Sequence, residues 1–178
     1  KNGPWELYYE TGQLDTKGNY IKDKKDGSWV GYFDDGHLKF RGNYSNDKKN
    51  GHWESYDGGI GGLKILSEGS YEGGRKVGLW EEENPFGGIW KGNYKYGEQD
   101  GLWELYDQEI QFWVKGTFKD GEQDGLWKRY FDNGKFHSTE NFKDGKLHGL
   151  RQWYDNYGNL SSEVNYINGK EEGLKKHF

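Results

Sequence analysis

Residues 125–146 read GLWKRYFDNGKFHSTENFKDGK. Two short aromatic-rich runs, 127–131 and 136–142, flank Asn133-Gly134, and Asp144-Gly145 follows the second run. Asn-Gly or Asp-Gly between two such runs is the strongest local signal for a β-hairpin, because these residues tolerate the left-handed backbone of a tight turn. Glycine every few residues, and no apolar stripe at i, i+3, i+4, exclude a helix. The stretch is one hairpin, with a second turn leading out of it.

The same unit recurs along the chain. Gly-x-Trp appears at Gly3/Trp5, Gly27/Trp29, Gly51/Trp53, Gly78/Trp80, Gly101/Trp103 and Gly125/Trp127. Gly149 and Gly173 keep the glycine but are followed by Arg151 and Lys175. Successive glycines stand 24, 24, 27, 23, 24, 24 and 24 residues apart. A period of this size marks one supersecondary unit copied in tandem. The expected fold is all-β: an elongated, twisted antiparallel meander of about seven hairpin repeats and a final half. It is expected to be a single array over residues 1–178.

The turns predict a register. If Thr11-Gly12 is a two-residue turn, Trp5 lies opposite Gly18 and Gly3 opposite Tyr20. A large ring would then cover the bare strand glycine of its paired strand. This reading makes Trp5, Trp29, Trp53, Trp80, Trp103 and Trp127 core residues, with Gly18, Gly42, Gly69, Gly92 and Gly116 beneath them. Because side chains alternate along a strand, the tyrosine three residues after each Trp points to the other face. Tyr8, Tyr32, Tyr56, Tyr106, Tyr130 and Tyr154 form that column, and Glu83 and Phe178 hold the equivalent places in the remaining copies. Interfaces favour Tyr and Trp, so the column is the candidate partner-binding surface. The competing expectation is that each Tyr packs on Leu102, Leu126, Leu150 or an equivalent as a second minor core.

Composition supports a folded chain of unusual kind. Only 31% of the 178 residues are hydrophobic and 31% are charged, a balance that alone would suggest disorder. The 9 Trp, 14 Tyr and 9 Phe recur in register, however, and each buries a large area with few rotatable bonds. The core is therefore expected to be an aromatic ladder. A net charge of −5 argues against nucleic-acid binding and against attachment to anionic lipid. Without cysteine there is no disulfide, thiol nucleophile or thiolate metal site. The chain opens inside a repeat at Lys1 and has no Met, which reads as a fragment or processed product, and its compartment is left open.

Enzymatic chemistry finds little footing. His37, His52, His137, His148 and His177 fall at different repeat offsets and lack metal-ligand spacing, so no metal, cofactor or catalytic residue is expected. Aspartates in the turns are explained by turn chemistry. Glu81, Glu82 and Glu83 are an acidic cluster without that explanation and are expected to be a solvated face. A glycosidase-like carboxylate pair stays open. The pattern breaks over 58–88, where paired glycines and Pro85 suggest an edge, bulge or enlarged loop, read first as drift within the array.

Gly-x-Trp-x-x-Tyr, Asn-Gly-x-Leu, Gly-Asn-Tyr and Lys-Asp-Gly-Lys resemble the bacterial variant of MORN repeats, the kind found in YwqK-family antitoxins. The resemblance covers the whole chain. It implies elongated sheets of hairpins that serve as protein-interaction or scaffolding modules. The antitoxin likeness implies a toxin as the bound partner. The expected function is thus non-enzymatic protein binding, with a structural or surface-associated scaffold as the alternative. Lipid and glycan binding rank lower. Membrane contact is disfavoured, and end-to-end self-association through exposed sheet edges is compatible with the fold.

Overall fold

The computed structural model describes residues 1–58, 64–84, 88–107 and 112–178. Every regular element among them is a β-strand, so the expected all-β antiparallel hairpin fold is the fold observed. The strands cluster into two units, Lys1–Glu83 and Asn84–Phe178. The first holds β1 (Gly3–Tyr8), β2 (Leu14–Ile21), β3 (Lys24–Lys25), β4 (Gly27–Tyr32), β5 (Leu38–Ser45), β6 (Lys48–Asp57), β7 (Lys64–Glu72) and β8 (Arg75–Glu83). The second holds β9 (Ile89–Lys95), β10 (Glu98–Asp107), β11 (Phe112–Lys119), β12 (Glu122–Tyr130), β13 (Phe136–Lys143), β14 (Lys146–Leu147), β15 (Gly149–Tyr154), β16 (Leu160–Ile167) and β17 (Lys170–His177). Within each unit, strands adjacent in sequence pair antiparallel, apart from the short pieces β3 and β14, which precede β4 and β15 on the same side of the sheet.

The predicted register is present, but the turn is different. Trp5 pairs with Gly18 and Gly3 with Tyr20, as a two-residue turn requires. The amide of Gly12, however, donates to the Tyr9 carbonyl and that of Tyr9 to the Gln13 carbonyl, which encloses three residues. That turn alone would slip the strands by one. Between the Leu7–Thr16 and Tyr8–Leu14 pairs, Asp15 is bulged out, and the slip is cancelled. The same turn recurs at Phe33, Phe131 and Asp155, with the same bulge behind it. The turns leading out are true two-residue ones. Lys22 and Asp23, or Asn46 and Asp47, both take positive φ, the geometry whose twist matches the flanking strands.

The tryptophans build the core by lying over glycines of the strand before them, not the strand after. Trp5, Trp29, Trp53 and Trp103 pair in register with a glycine of the following strand, as Trp29 does with Gly42, whereas Trp127 faces Glu140. From Trp29 to Trp127 the indole of each Gly-x-Trp copy instead lies over the glycine of the preceding strand. A Cβ on Gly18, Gly42, Gly69, Gly92 or Gly116 would overlap Trp29, Trp53, Trp80, Trp103 or Trp127 respectively. Backbone hydrogen bonding supplies the reason. The indole N–H of each ring donates to the carbonyl of the residue after that glycine, at 2.9–3.2 Å, and so fixes the ring over it. Those carbonyls face a bulge opposite, where Gly51 or Gly125 sits at φ near +77° and the ladder is interrupted. Buried donors need such acceptors.

Trp29 is 2% exposed, and Trp53, Trp80, Trp103 and Trp127 are likewise buried. Tyr20, Tyr44 and Tyr71 stand between successive indoles, edge to face at 4.9–6.2 Å. In the second unit Phe118 does the same between Trp103 and Trp127, with Tyr94 edge to face on Trp103 and Phe142 on Trp127. This is the expected aromatic ladder. Trp5 departs from it: no strand precedes β1 among the described residues, and the ring is 37% exposed.

Candidate functional site

Once the indoles are buried on one face, each sheet presents the tyrosine face as its other side. Three columns run across it. Leu102, Leu126 and Leu150 lead, followed by Glu104, Lys128 and Gln152, then Tyr106, Tyr130 and Tyr154. The leucines are exposed, with Leu102 at 54%. They stand one residue after the bulged glycines and have little cross-strand cover.

The tyrosine column takes a different form in each unit. In the first, Tyr56 is buried, Tyr8 exposed and Tyr32 half-buried. The Tyr8 hydroxyl donates to Glu6 and that of Tyr56 to Glu54, two residues back on the same strand. In the second unit Tyr106, Tyr130 and Tyr154 are half-buried. Their rings are joined by two that the tyrosine pattern does not contain. Trp113 pairs with Tyr106 across β10 and β11, centroids 4.5 Å apart, and is itself the register partner of Tyr130. Phe136 bridges Tyr130 at 5.1 Å and Tyr154 at 5.8 Å. The result is a strip, Tyr106–Trp113–Tyr130–Phe136–Tyr154, in which register pairing of Trp113 with Tyr130 joins two groups of touching rings, with Trp113 46% exposed and Phe136 exposed. The tyrosines thus have ring contacts with Trp113 and Phe136.

Phe136 was legible in the sequence, since it occupies the place of Leu14 and Leu38. Trp113 was not. The repeat pattern offers Phe112 for that place, but Phe112 pairs with Asp107 and Trp113 takes the seat beside Tyr106. Residues 108–111 lie outside the described residues.

The strip is flanked by charge. Glu104 and Lys115 are register partners, as are Lys115 and Lys128. The Lys115 ammonium lies 5.3 Å from the Tyr130 ring centre and that of Lys128 5.8 Å from Phe136. Glu104, Trp113, Lys115, Tyr130 and Gly134 enclose a recess of about 270 Å³.

The other candidates are distributed. His52, Glu54 and Glu68 bring ligand atoms within 4.8 Å of one another, a grouping invisible in the sequence because it depends on the Glu54–Glu68 pair across β6 and β7. The Glu54 oxygens are already engaged: Arg41 donates to both, at 2.5 and 3.0 Å, and Tyr56 and His52 add further bonds. The Arg41 guanidinium chiefly holds the Glu54 carboxyl at about 2, against burial that pushes the other way. Of the acidic cluster, Glu82 is ion-paired with Lys76 and Glu83 with Lys64, while Glu81 pairs in register with Glu68. Glu83 therefore ties β8 to β7, while the Glu82 pair lies within β8, and both go beyond the solvated face expected. His37 lies 3.0 Å from Asp35, and burial pushes the His137 imidazole down. Of the irregular stretch 58–88, positions 59–63 and 85–87 lie outside the described residues.

Four segments, 1–22, 25–46, 123–144 and 147–168, match the family described as the MORN repeat variant. Each begins two residues before a Gly-x-Trp glycine or its equivalent and runs through one hairpin into the outgoing turn. The chain carries repeats of this kind. No curated protein matches it.

Proposed function

We propose that these MORN-variant repeats form a non-enzymatic protein-binding module whose contact surface is the aromatic strip of the second unit. The observation that carries the reading is the strip itself: five aromatic residues aligned on adjacent strands of the face that the tryptophan ladder does not need, two of them substantially exposed. Exposed aromatic rows rimmed by polar residues are characteristic of interaction sites. Lys115 and Lys128 favour a partner that sets an apolar anchor into the row and carboxylates at its margin. Within this class, the resemblance to antitoxin repeats supports a toxin as the partner and neutralisation as the outcome. That finer reading rests on the resemblance alone.

The test compares the wild-type chain with a Trp113→Ser/Phe136→Ser variant as bait against extracts of the source organism. A specific partner retained by the first and lost by the second, at equal melting temperature, supports the strip. Equal retention by both places the contact elsewhere.

A further inference from the structure

On the tryptophan face of the first unit, β5, β6 and β7 surround a pocket of about 480 Å³. This volume is in the range of small-molecule sites, which are mostly apolar with a few convergent polar groups. Phe40 and Trp53 form one wall, nearly parallel with centroids 5.8 Å apart, and Tyr71 adds a further ring. Among them the hydroxyls of Ser55 and Ser67, register partners across β6 and β7, lie 2.7 Å apart. Only one hydroxyl hydrogen is used between them, so the pair keeps another to donate and free lone pairs to accept.

The charge at this pocket is also specific. The Lys49 ammonium sits 4.2 Å from the Trp53 ring centre and 4.9 Å from that of Tyr71. It makes no ion pair with any carboxylate among the described residues. Burial, together with the nearby Lys76, pushes its pKa down, so the site lacks an anion that would stabilise the ammonium. Of the acids nearby, the Glu54 carboxylate is held by Arg41, and Asp57 is exposed. The equivalents of Ser55 in neighbouring repeats are Gly31 and Glu82, so the paired hydroxyls are particular to this place in the array.

Aromatic walls suit the C–H faces of a pyranose, the serine pair suits ring hydroxyls, and a half-buried lysine suits a carboxylate. We propose that this pocket binds an acidic sugar unit of the uronate type, with its ring against Phe40 and Trp53, its hydroxyls on Ser55 and Ser67, and its carboxylate on Lys49. The site belongs to the ladder face of the first unit and is independent of the strip in the second.

The test is titration of the whole chain with D-glucuronate, D-glucose and phenylacetate, read by calorimetry and tryptophan fluorescence. Saturable binding of glucuronate, with glucose and phenylacetate each weaker by about tenfold or more, is expected, since each lacks one set of hydrogen bonds. Lys49→Gln, which keeps most of the stem over Trp53, should weaken glucuronate by about tenfold and leave glucose unchanged. Ser55→Val/Ser67→Val should weaken both sugars at an unchanged melting temperature. Failure of glucuronate to bind overturns the proposal, as does phenylacetate binding as tightly as glucuronate. Glucuronate affinity unaltered in Lys49→Gln also overturns it.

Discussion

Arg151 stands eleven residues after Glu140, and its guanidinium lies 2.8 Å from the Glu140 carboxylate. These are the positions that Trp127 and Gly116 hold one repeat earlier, where the indole covers the glycine. Where the Trp is lost, the glycine is lost with it. The next repeat repeats the exchange, with a buried Val164 and Lys175. A residue with a side chain can stand in the strand only if no indole lies on it. Glu140, 4% exposed, is then met by Arg129 at 3.2 Å and Arg151 at 2.8 Å, while the Nε atoms of both arginines stay buried without an acceptor.

Restoring both members of the pair should therefore be tolerated where restoring one is not. Glu140→Gly/Arg151→Trp, combined with Arg129→Leu (the residue at the equivalent place one repeat earlier, Leu105) so that no guanidinium loses its carboxylate, is expected to fall within about 1 kcal/mol of wild type or above it, since a buried ion pair is readily replaced by packed apolar groups. Arg151→Trp alone would press the indole onto Glu140, and Glu140→Ala would leave two guanidinium groups unpaired. Each single change should cost about 3 kcal/mol or more in urea unfolding.

The ring-over-glycine geometry predicts which pairs couple energetically. Gly116→Ala should cost about 1–3 kcal/mol by overpacking, and Trp127→Ala about 3–5 kcal/mol. In a double-mutant cycle the two should be strongly non-additive, because the added methyl has no ring to strike once Trp127 is gone. Trp103, the register partner of Gly116, should show much smaller coupling. Trp5→Ala should cost less than about 2 kcal/mol, in keeping with its exposure.

The bulge should be removable without loss of register. Deleting His137, the extra residue between the Arg129–Ser138 and Tyr130–Phe136 pairs, leaves both pairs in place as neighbours. Deleting the paired Thr139 instead would bring Glu140 opposite Lys128 and turn the rest of β13 to the wrong face. The first variant should keep most of the melting temperature and the slow amide exchange of β12 and β13, and the second should lose both.

Glu54 supplies a pH dependence. Its carboxyl is held at about 2 in the fold, chiefly by Arg41, against an ordinary value of 4.5. A depressed folded value means the stabilisation is present above pH 4.5 and is lost as pH falls toward 2. Melting temperature should drop across that window, and Glu54→Gln should flatten the drop. An equal slope in both proteins would remove Glu54 from the account.

The sequence by itself determined the hairpin, its period, the cross-strand register and the separation of Trp and Tyr onto opposite faces. All of these follow from alternation along a strand and from the backbone needs of Asn-Gly and Asp-Gly turns, which are local. Tertiary structure decided what depends on where a side chain reaches. Trp29 pairs with Gly42 but lies on Gly18, because an indole N–H seeks a carbonyl that only the bulge leaves free. Trp113 rather than Phe112 completes the strip, because β10 and β11 pair from Gly101 to Asp107 without the bulge that the other hairpins carry. The Ser55–Ser67 pocket and the Glu54–Glu68 pair exist only once β6 and β7 are joined across an insertion whose length breaks the period.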